Sequence, residues 1–178
     1  TDASPLPSPR ASRKTVLQKK ICLLGAFGVG KTSLTQRFVS SIFSDKYLTT
    51  VGVKIDKKAV DVGATPVSLV IWDIAGEDEV SAVRTSYLRG AAGYLLVVDV
   101  TRAQTLEVAR HIQARVATEI GDIPFLCLLN KIDIEPWDIA EARIEEVRQA
   151  GWTVERTSAK TGTGVEEAFA ELARRIVG

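Results

Sequence analysis

The segment Gly25-Ala-Phe-Gly-Val-Gly-Lys-Thr32 decides the fold of this chain. It follows the apolar residues 21–24 (ICLL) and precedes residues 33–39 (SLTQRFV), so it joins a buried strand to an amphipathic helix. A glycine-rich loop in this setting can curl with its backbone N–H groups pointing inward, and the start of the helix adds positive potential. The pattern predicts a phosphate-binding loop. The alternative is a glycine-rich turn that Lys and Thr follow by chance.

Each residue type of this loop has a chemical reason to be there. The glycines free the backbone, Lys31 can reach terminal phosphates, and the Thr32 hydroxyl is a suitable ligand for Mg²⁺. The predicted nucleotide-binding residues of the segment are Gly25, Phe27, Gly28, Val29, Gly30, Lys31, Thr32 and Ser33.

Length and charge narrow the class of protein. The 178 residues suit one α/β domain with a full core. The net charge is +1, but residues 1–20 carry five basic residues and one acidic residue, so the remainder is mildly acidic. A body of that charge gives no reason to expect nucleic-acid binding.

The cysteines and the histidine argue against metal or nucleophile chemistry. Cys22 and Cys127 lie in apolar runs, which is typical of small core residues in a reducing compartment, and neither has metal-ligand spacing. The single histidine, His111, lies in a polar helical pattern. We therefore expect no zinc site and no histidine-based catalysis. No apolar run approaches the roughly 20 residues of a membrane span.

The ends of the chain differ from its body. Residues 1–18 are rich in Pro, Ser and basic residues, so we expect a flexible extension ahead of a domain over residues 19–178. The prolines disfavour an amphipathic transit peptide, and five cations without a lipid form a weak membrane anchor. No lipidation cysteine precedes Gly178, so we expect no prenylation on this chain. These features favour a cytoplasmic location, with peripheral contact at a membrane as the alternative.

Apolar strands alternate with amphipathic helices along the whole chain, which predicts a mostly parallel sheet covered on both faces. Residues 53–62 and 67–72 are separated by residues 63–66 and are expected to form an antiparallel hairpin with one edge strand. Further helices are predicted over residues 103–120, 137–150 and 164–177, and a short strand over residues 152–156. The prediction is an α/β fold with six strands, one of them antiparallel, and about five helices.

Polar clusters follow several strands at the point where each strand ends, which is where such sheets bind ligands. Asp73, in residues 72–76 (WDIAG), can hold Mg²⁺ through a water, and the Gly76 N–H can reach a γ-phosphate. Asp133 ends residues 130–133 (NKID), and residues 158–160 (SAK) follow another strand. A carboxylate at Asp133 can accept two hydrogens from guanine, whereas adenine presents an acceptor and is rejected.

With these residues in place, the chain resembles the Ras-superfamily small GTPases over about residues 20–176. Five motifs occur in the family's order and strand context: GAFGVGKT, YLTTVG at residues 47–52, WDIAG, NKID and SAK. VGVKI at residues 51–55, IWDIAG at residues 71–76 and SYLRGA at residues 86–91 are most similar to the Rab branch. The resemblance implies a P-loop GTPase fold, GTP or GDP with Mg²⁺ as cofactors, and a monomeric molecular switch.

The resemblance also implies roles for individual residues. Residues 44–52 and 75–87 are similar to the two switches, which effector, exchange-factor and activating proteins read, together with Trp72 and Tyr87. The alternatives are that Trp72 packs between the sheet and the second switch, and that Phe43 is an ordinary aromatic rather than the one against guanine. The implied catalytic residues are Lys31, Thr50, Gly76 and Glu77; the implied Mg²⁺ ligands are Thr32, Thr50 and Asp73; the other implied nucleotide contacts are Phe43, Tyr47, Asn130, Lys131, Asp133, Ser158, Ala159 and Lys160.

Two residues depart from the family pattern. Glu77 stands where the family has a catalytic glutamine, and Phe27 stands where it has a small residue. An ionised carboxylate can only accept hydrogen bonds, and a phenyl ring is expected to crowd the attacking water. We predict hydrolysis roughly 10–1000-fold slower than in an intact relative. The alternatives are that Arg84 or Arg89 places the water, or that the chain is a non-hydrolysing GTP-binding scaffold. A P-loop nucleotide kinase would leave NKID and SAK without a role.

Overall fold

The chain alternates strands and helices around one six-stranded sheet. The structure is a computed structural model and describes residues 16–40, 53–75 and 85–178. In chain order the elements are β1 Leu17–Gly25, α1 Lys31–Ser40, β2 Val53–Val62, β3 Thr65–Ile74, α2 Thr85–Leu88, β4 Gly93–Asp99, α3 Gln104–Glu119, β5 Phe125–Asn130, α4 Glu141–Gln149, β6 Val154–Arg156 and α5 Val165–Val177.

The order of strands in the sheet is β2-β3-β1-β4-β5-β6. β2 and β3 pair antiparallel, and every other neighbouring pair is parallel. β2 lies at an edge and alternates exposed with half-buried residues, whereas β4, in the middle, is buried at every position. The predicted fold class is therefore confirmed, because continuous apolar runs became central strands and the alternating run became the edge strand.

Residues of β1 point alternately to two cores, one on each face of the sheet. Ile21 and Leu23 belong to the core under α1 and α5, where the rings of Phe38 and Phe169 stack with centroids 4.0 Å apart. Cys22 and Leu24 belong to the core under α3 and α4. Because both faces are covered, the ends of the parallel strands are the exposed part of the sheet where a ligand can bind.

Helix α4 begins at Glu141 rather than at the predicted residue 137. The N–H groups of Asp138 and Ile139 donate to the Val100 carbonyl at 2.8 and 3.3 Å, and the Asp138 carboxylate accepts the Ala103 N–H at 2.7 Å. These bonds hold residues 138 and 139 against the loop after β4. Ala140, which follows them, has an extended backbone with φ −72° and ψ 143°, so the helix starts only after it.

Other boundaries move by a few residues. β3 begins at Thr65, which pairs with Val62, so the hairpin connection is Gly63 and Ala64 rather than four residues. β6 is only Val154–Arg156, and β1 begins at Leu17, ahead of the strand start predicted at Lys20. Among residues 16–40, 53–75 and 85–178, no helix combines the length and apolarity that a membrane span requires.

The cysteines are buried free thiols, as predicted from their apolar surroundings. Burial raises the pKa of the Cys22 thiol and of the Cys127 thiol to about 12. At pH 8 the reactive thiolate is therefore roughly 10⁻⁴ of the population. We expect the native protein to show almost no reaction with a disulfide reagent over minutes, and two thiols per chain after denaturation in guanidinium chloride. Rapid labelling of the native protein would contradict this placement.

Candidate functional site

The predicted site residues lie at one edge of the sheet. β1 ends at Gly25, β4 at Asp99 and β5 at Asn130, and these strands are parallel, so their carboxyl ends lie side by side. β3, parallel to β1, brings Asp73 to the same edge. The fold thus places the GAFGVGKT, WDIAG and NKID segments together, although they are far apart in sequence.

Lys31 is a buried cation enclosed by its own loop. It is the first residue of α1, is 5% exposed, and its Nζ donates to the carbonyls of Gly25 and Ala26 at 3.0 Å each. Burial lowers the pKa of Lys31 to about 8, with the nearby Asp73 carboxylate opposing the shift. An ammonium has three N–H donors, and two are used here. The third is available to an anion bound inside the loop.

Two glycines let the loop approach the neighbouring strands closely. Gly30 has φ +105°, and a Cβ there would lie 2.3 Å from Asn130 Nδ2. Gly25 has φ +149°, and its Cβ would lie 2.5 Å from the Val97 carbonyl oxygen. Both conformations are rare for residues with side chains, and both sites lack room for one. The loop therefore rests directly on the ends of β4 and β5.

Thr32 and Asp73 form an oxygen-rich pair beside Lys31. Thr32 Oγ1 donates to Asp73 Oδ2 at 2.5 Å, and the carboxylate is buried. Burial raises the pKa of Asp73, while the Thr32 bond and Lys31 partly offset it. A hydroxyl and a carboxylate at this distance are the ligand types that Mg²⁺ prefers, so these residues fit the predicted metal site. The third predicted ligand, Thr50, lies outside the described residues.

Asn130 connects the phosphate loop to the predicted base-recognition loops. Its Nδ2 donates to the Val29 carbonyl at 2.9 Å, and its Oδ1 accepts the Thr157 hydroxyl at 3.1 Å. The predicted contact of Asn130 with the phosphate loop is present. Asp133 Oδ1 accepts the Ser158 hydroxyl at 2.7 Å, so one carboxylate oxygen is fixed and the other can face a ligand. The SAK and NKID segments are thereby held side by side.

Sequence reasoning missed a buried carboxylate behind the phosphate loop. Asp99, 1% exposed, accepts bonds from Lys131 Nζ at 2.8 Å, Arg102 Nε at 3.1 Å and the Thr101 hydroxyl at 2.6 Å. Burial alone raises the pKa of this carboxyl, but these bonds outweigh it and hold the pKa below the usual value. Asp99 is the last residue of a buried strand. The rule that polar residues at strand ends form the ligand site, had it been applied to β4 as well, would have found it.

The same two cations also bind the phosphate loop. Lys131 Nζ donates to the Gly28 carbonyl at 2.7 Å, and Arg102 Nη2 donates to the Phe27 carbonyl at 2.7 Å. Two successive carbonyls of the loop thus point outward to cations that Asp99 holds. Pointing carbonyls outward leaves the loop's N–H groups free to face an anion on the inner side.

The remaining predicted residues are distributed as follows. The Phe27 side chain is 65% exposed on the loop, and Ser33 is half-buried in the first turn of α1. Trp72 and Tyr87 are half-buried against the core under α3 and α4, and Lys20 Nζ lies 3.6 Å from the Trp72 ring centroid, so packing is the better account of Trp72. The predicted residues that lie outside the described part of the chain are Phe43, Tyr47, Thr50, Gly76, Glu77 and Arg84.

The Gly30→Ala substitution tests the close approach of the loop to β5. The added methyl would overlap Asn130 Nδ2 in a backbone conformation that alanine rarely adopts. We expect the free energy of unfolding to fall by about 2–4 kcal/mol, measured by urea denaturation. Gly63→Ala is the matched control, since Gly63 has φ +59° with nothing within 4 Å of the added Cβ, and it should cost at most about 1 kcal/mol. Equal losses in the two variants would contradict this geometry.

Comparison with known proteins agrees with the geometry. The model of the Ras family matches residues 20–178. The chain is 35% identical to the Ras-related protein Rab-13 of Canis lupus familiaris over 161 residues, which cover 89% of this chain and 79% of that protein. It is 35% identical to the Ras-related protein Rab-21 of Dictyostelium discoideum over 164 residues, or 89% of this chain and 76% of the relative. It is 34% identical to Rab-21 of Geodia cydonium over 178 residues, 98% of this chain and 77% of the relative.

These matches cover the phosphate loop, the oxygen pair at Thr32 and Asp73, and the segments joined by Asn130. Binding of GTP and GDP with Mg²⁺ and hydrolysis of GTP are general properties of the matching proteins. The chain therefore belongs to the Ras family, as a Rab-like small GTPase and GTP-binding molecular switch.

Proposed function

We propose that this chain is a slow GTPase switch whose nucleotide is held by the residues described above. The observation that carries the assignment is the Asn130 side chain, which donates to the Val29 carbonyl at 2.9 Å and so connects the phosphate loop to the predicted guanine-binding segments. A site that binds the base and the phosphates of one nucleotide must hold its base-binding and phosphate-binding loops at a fixed separation, which requires such a connection. A loop that bound only phosphate would not.

The nucleotide contacts follow from this arrangement. The loop N–H groups and Lys31 would bind the β- and γ-phosphates, and Thr32 and Asp73 would hold Mg²⁺, with Asp73 acting through a water. The free oxygen of Asp133 accepts from guanine, the stem of Lys131 lies along the base, and the Ala159 N–H donates to the guanine oxygen. Phe43, Tyr47, Ser158 and Lys160 complete the base and ribose side, and Thr50 and Gly76 reach the γ-phosphate.

Hydrolysis proceeds by in-line attack of water on the γ-phosphorus. The water oxygen–phosphorus bond forms as the bond to the bridging β–γ oxygen breaks, GDP leaves, and the water proton passes to the released phosphate. When bound, Mg²⁺ neutralises charge on the β- and γ-phosphates. Lys31 stabilises the same charge from inside the loop, while Glu77 orients the water less well than glutamine because its carboxylate cannot donate.

The biological role is regulation through proteins that recognise the switch surface. Effectors, exchange factors and activating proteins would distinguish the GTP form from the GDP form at residues 44–52 and 75–87, with Tyr87 at the border of that surface. We place the activity in signalling or membrane traffic, in the cytoplasm or peripherally at a membrane, with the chain as a monomer. The second candidate is a GTP-binding scaffold that does not hydrolyse, which Glu77 and Phe27 favour.

Single-turnover hydrolysis of bound GTP with Mg²⁺ separates these two functions. We expect the wild-type protein to turn over slowly, and Glu77→Gln and Phe27→Gly each to raise the rate constant roughly tenfold or more. Glu77→Gln supplies the donor that the water needs, and Phe27→Gly makes room for the water. Arg174→Ala, on an exposed α5 pair with Glu171, is the control and should keep the wild-type rate.

Three results are informative in that experiment. Measurable wild-type turnover supports the switch, and none over many hours supports the scaffold. An ordinary wild-type rate that Glu77→Gln leaves unchanged would contradict the role given to Glu77. The search for the group that places the water would then move to Arg84 and Arg89.

Arg102→Ala tests the outward anchoring of the phosphate loop. Losing the donor to the Phe27 carbonyl should loosen the loop and raise the release rate of a fluorescent GDP analogue roughly tenfold, since bonds from charged groups contribute about 1.5–3 kcal/mol. Arg102 is more than one third exposed, so the lower part of that range applies. Arg174→Ala again serves as the control. An unchanged release rate would show that Lys131 holds the loop without Arg102.

A further inference from the structure

Arg37 contacts the SAK loop from outside every nucleotide-binding motif. It lies on α1, and its Nε donates to the Ala159 carbonyl at 2.8 Å across 122 positions of sequence. Its Nη2 donates to the Lys160 carbonyl. One guanidinium therefore holds two successive carbonyls of the loop that carries the predicted contact to the guanine oxygen. The side chain is half-buried, which favours a fixed geometry over a solvated one.

The peptide planes around Ala159 are fixed on both sides. The Ser158 carbonyl, which shares a peptide plane with the Ala159 N–H, accepts the Gly162 N–H at 2.8 Å. The next plane contains the Ala159 carbonyl, which accepts from Arg37. In a trans peptide the C=O and N–H of one plane point in opposite directions, so anchoring the carbonyls sets the direction of the N–H groups. The Gly162 bond therefore sets the direction of the Ala159 N–H, and the Arg37 bonds fix the two planes that follow it and so the position of the loop.

Helix α1 makes this anchor common to both ends of the site. Lys31 and Thr32, at its first turn, belong to the phosphate and metal end. Arg37 follows Lys31 by six residues, a rise of about 9 Å along the helix. The same rigid element therefore carries the phosphate end and holds the base-binding loop at a set distance from it. A guanine nucleotide must span these two points at once.

We propose that Arg37 is a specificity-positioning residue, which holds the loop that carries the Ala159 N–H in place beside the guanine O6 atom. This inference rests on the proposed function, because it assumes a guanine base beside Ala159. Arg37 itself does not touch the nucleotide. Its removal is expected to weaken recognition of the O6 atom and to leave recognition of the other base edge, by Asp133, unchanged.

If Arg37 had a purely structural role, its removal would weaken the binding of every nucleotide equally, so the test varies the ligand. Dissociation constants are measured by competition at pH 7 for GDP, for inosine diphosphate and for 6-thioguanosine diphosphate. Inosine diphosphate keeps O6 and lacks the 2-amino group. 6-Thioguanosine diphosphate keeps the N1–H and 2-amino groups and replaces O6 by sulfur, which is a weak acceptor.

Arg37→Ala should weaken GDP and inosine diphosphate about tenfold each, since a well-placed hydrogen bond is lost. The loss of affinity for 6-thioguanosine diphosphate should be less than about threefold, because its sulfur makes only a weak hydrogen bond with the Ala159 N–H in the wild-type protein. Equal losses for all three ligands, or no loss for any, would overturn the proposal. If Arg37→Ala does not fold, Arg37→Lys, which keeps the charge on a single nitrogen and loses the guanidinium fork, decides by the same pattern with smaller losses.

Arg102→Ala is the matched control, because Arg102 also donates to a loop carbonyl but at the phosphate end. Its loss should be the same for all three diphosphates, since they share their phosphates. If Arg102→Ala weakened the binding of 6-thioguanosine diphosphate less than that of the other two ligands, the assignment of O6 recognition to Arg37 alone would be overturned. Failure of the wild-type protein to prefer GDP over ADP would instead overturn the proposed function, and would be seen before any variant is compared.

Discussion

The hydrogen bond from Asn130 to the Val29 carbonyl is the constraint on which the site depends. β1 and β5 are not neighbours in the sheet, since β4 lies between them. Asn130 must therefore reach across the end of β4, and it can do so only because Gly30 presents no side chain. The buried amide would be costly if its partner were lost, so the loop and the strand end hold each other in place.

The charges around the phosphate loop follow from that close packing. Lys31, Arg102 and Lys131 supply three cations, and Asp73 and Asp99 supply two carboxylates that are almost fully buried. Buried charges are tolerated when they are paired and hydrogen-bonded, and each carboxylate here has such partners. The cations outnumber the carboxylates, and the two carbonyl bonds of Lys31 do not neutralise its charge. A polyanionic ligand supplies what this arrangement lacks.

The sequence predicted the fold, and it predicted that the candidate site residues follow strand ends, because burial leaves a periodic pattern. The continuous apolar runs gave the central strands, and polar residues at strand ends gave Asp73, Asn130 and Asp133. Arg37 and Arg102 were not predicted, because each donates to backbone carbonyls, which every residue carries. The start of α4 was misplaced for a similar reason, since the bonds of Asp138 to the loop after β4 are tertiary contacts between residues with no sequence pattern.

The anchoring of the nucleotide and the placement of the attacking water are assigned to different residues. The anchors of the phosphate and base loops, from Lys31 and Arg37 to Asn130 and Asp133, bond to one another within the described residues. Residues 50, 76 and 77, to which part of the hydrolysis step is assigned, lie outside the described residues. The glutamate at position 77 leaves each of these bonds between described residues in place. That separation allows a Ras-family chain to keep its binding site while its catalytic residues diverge.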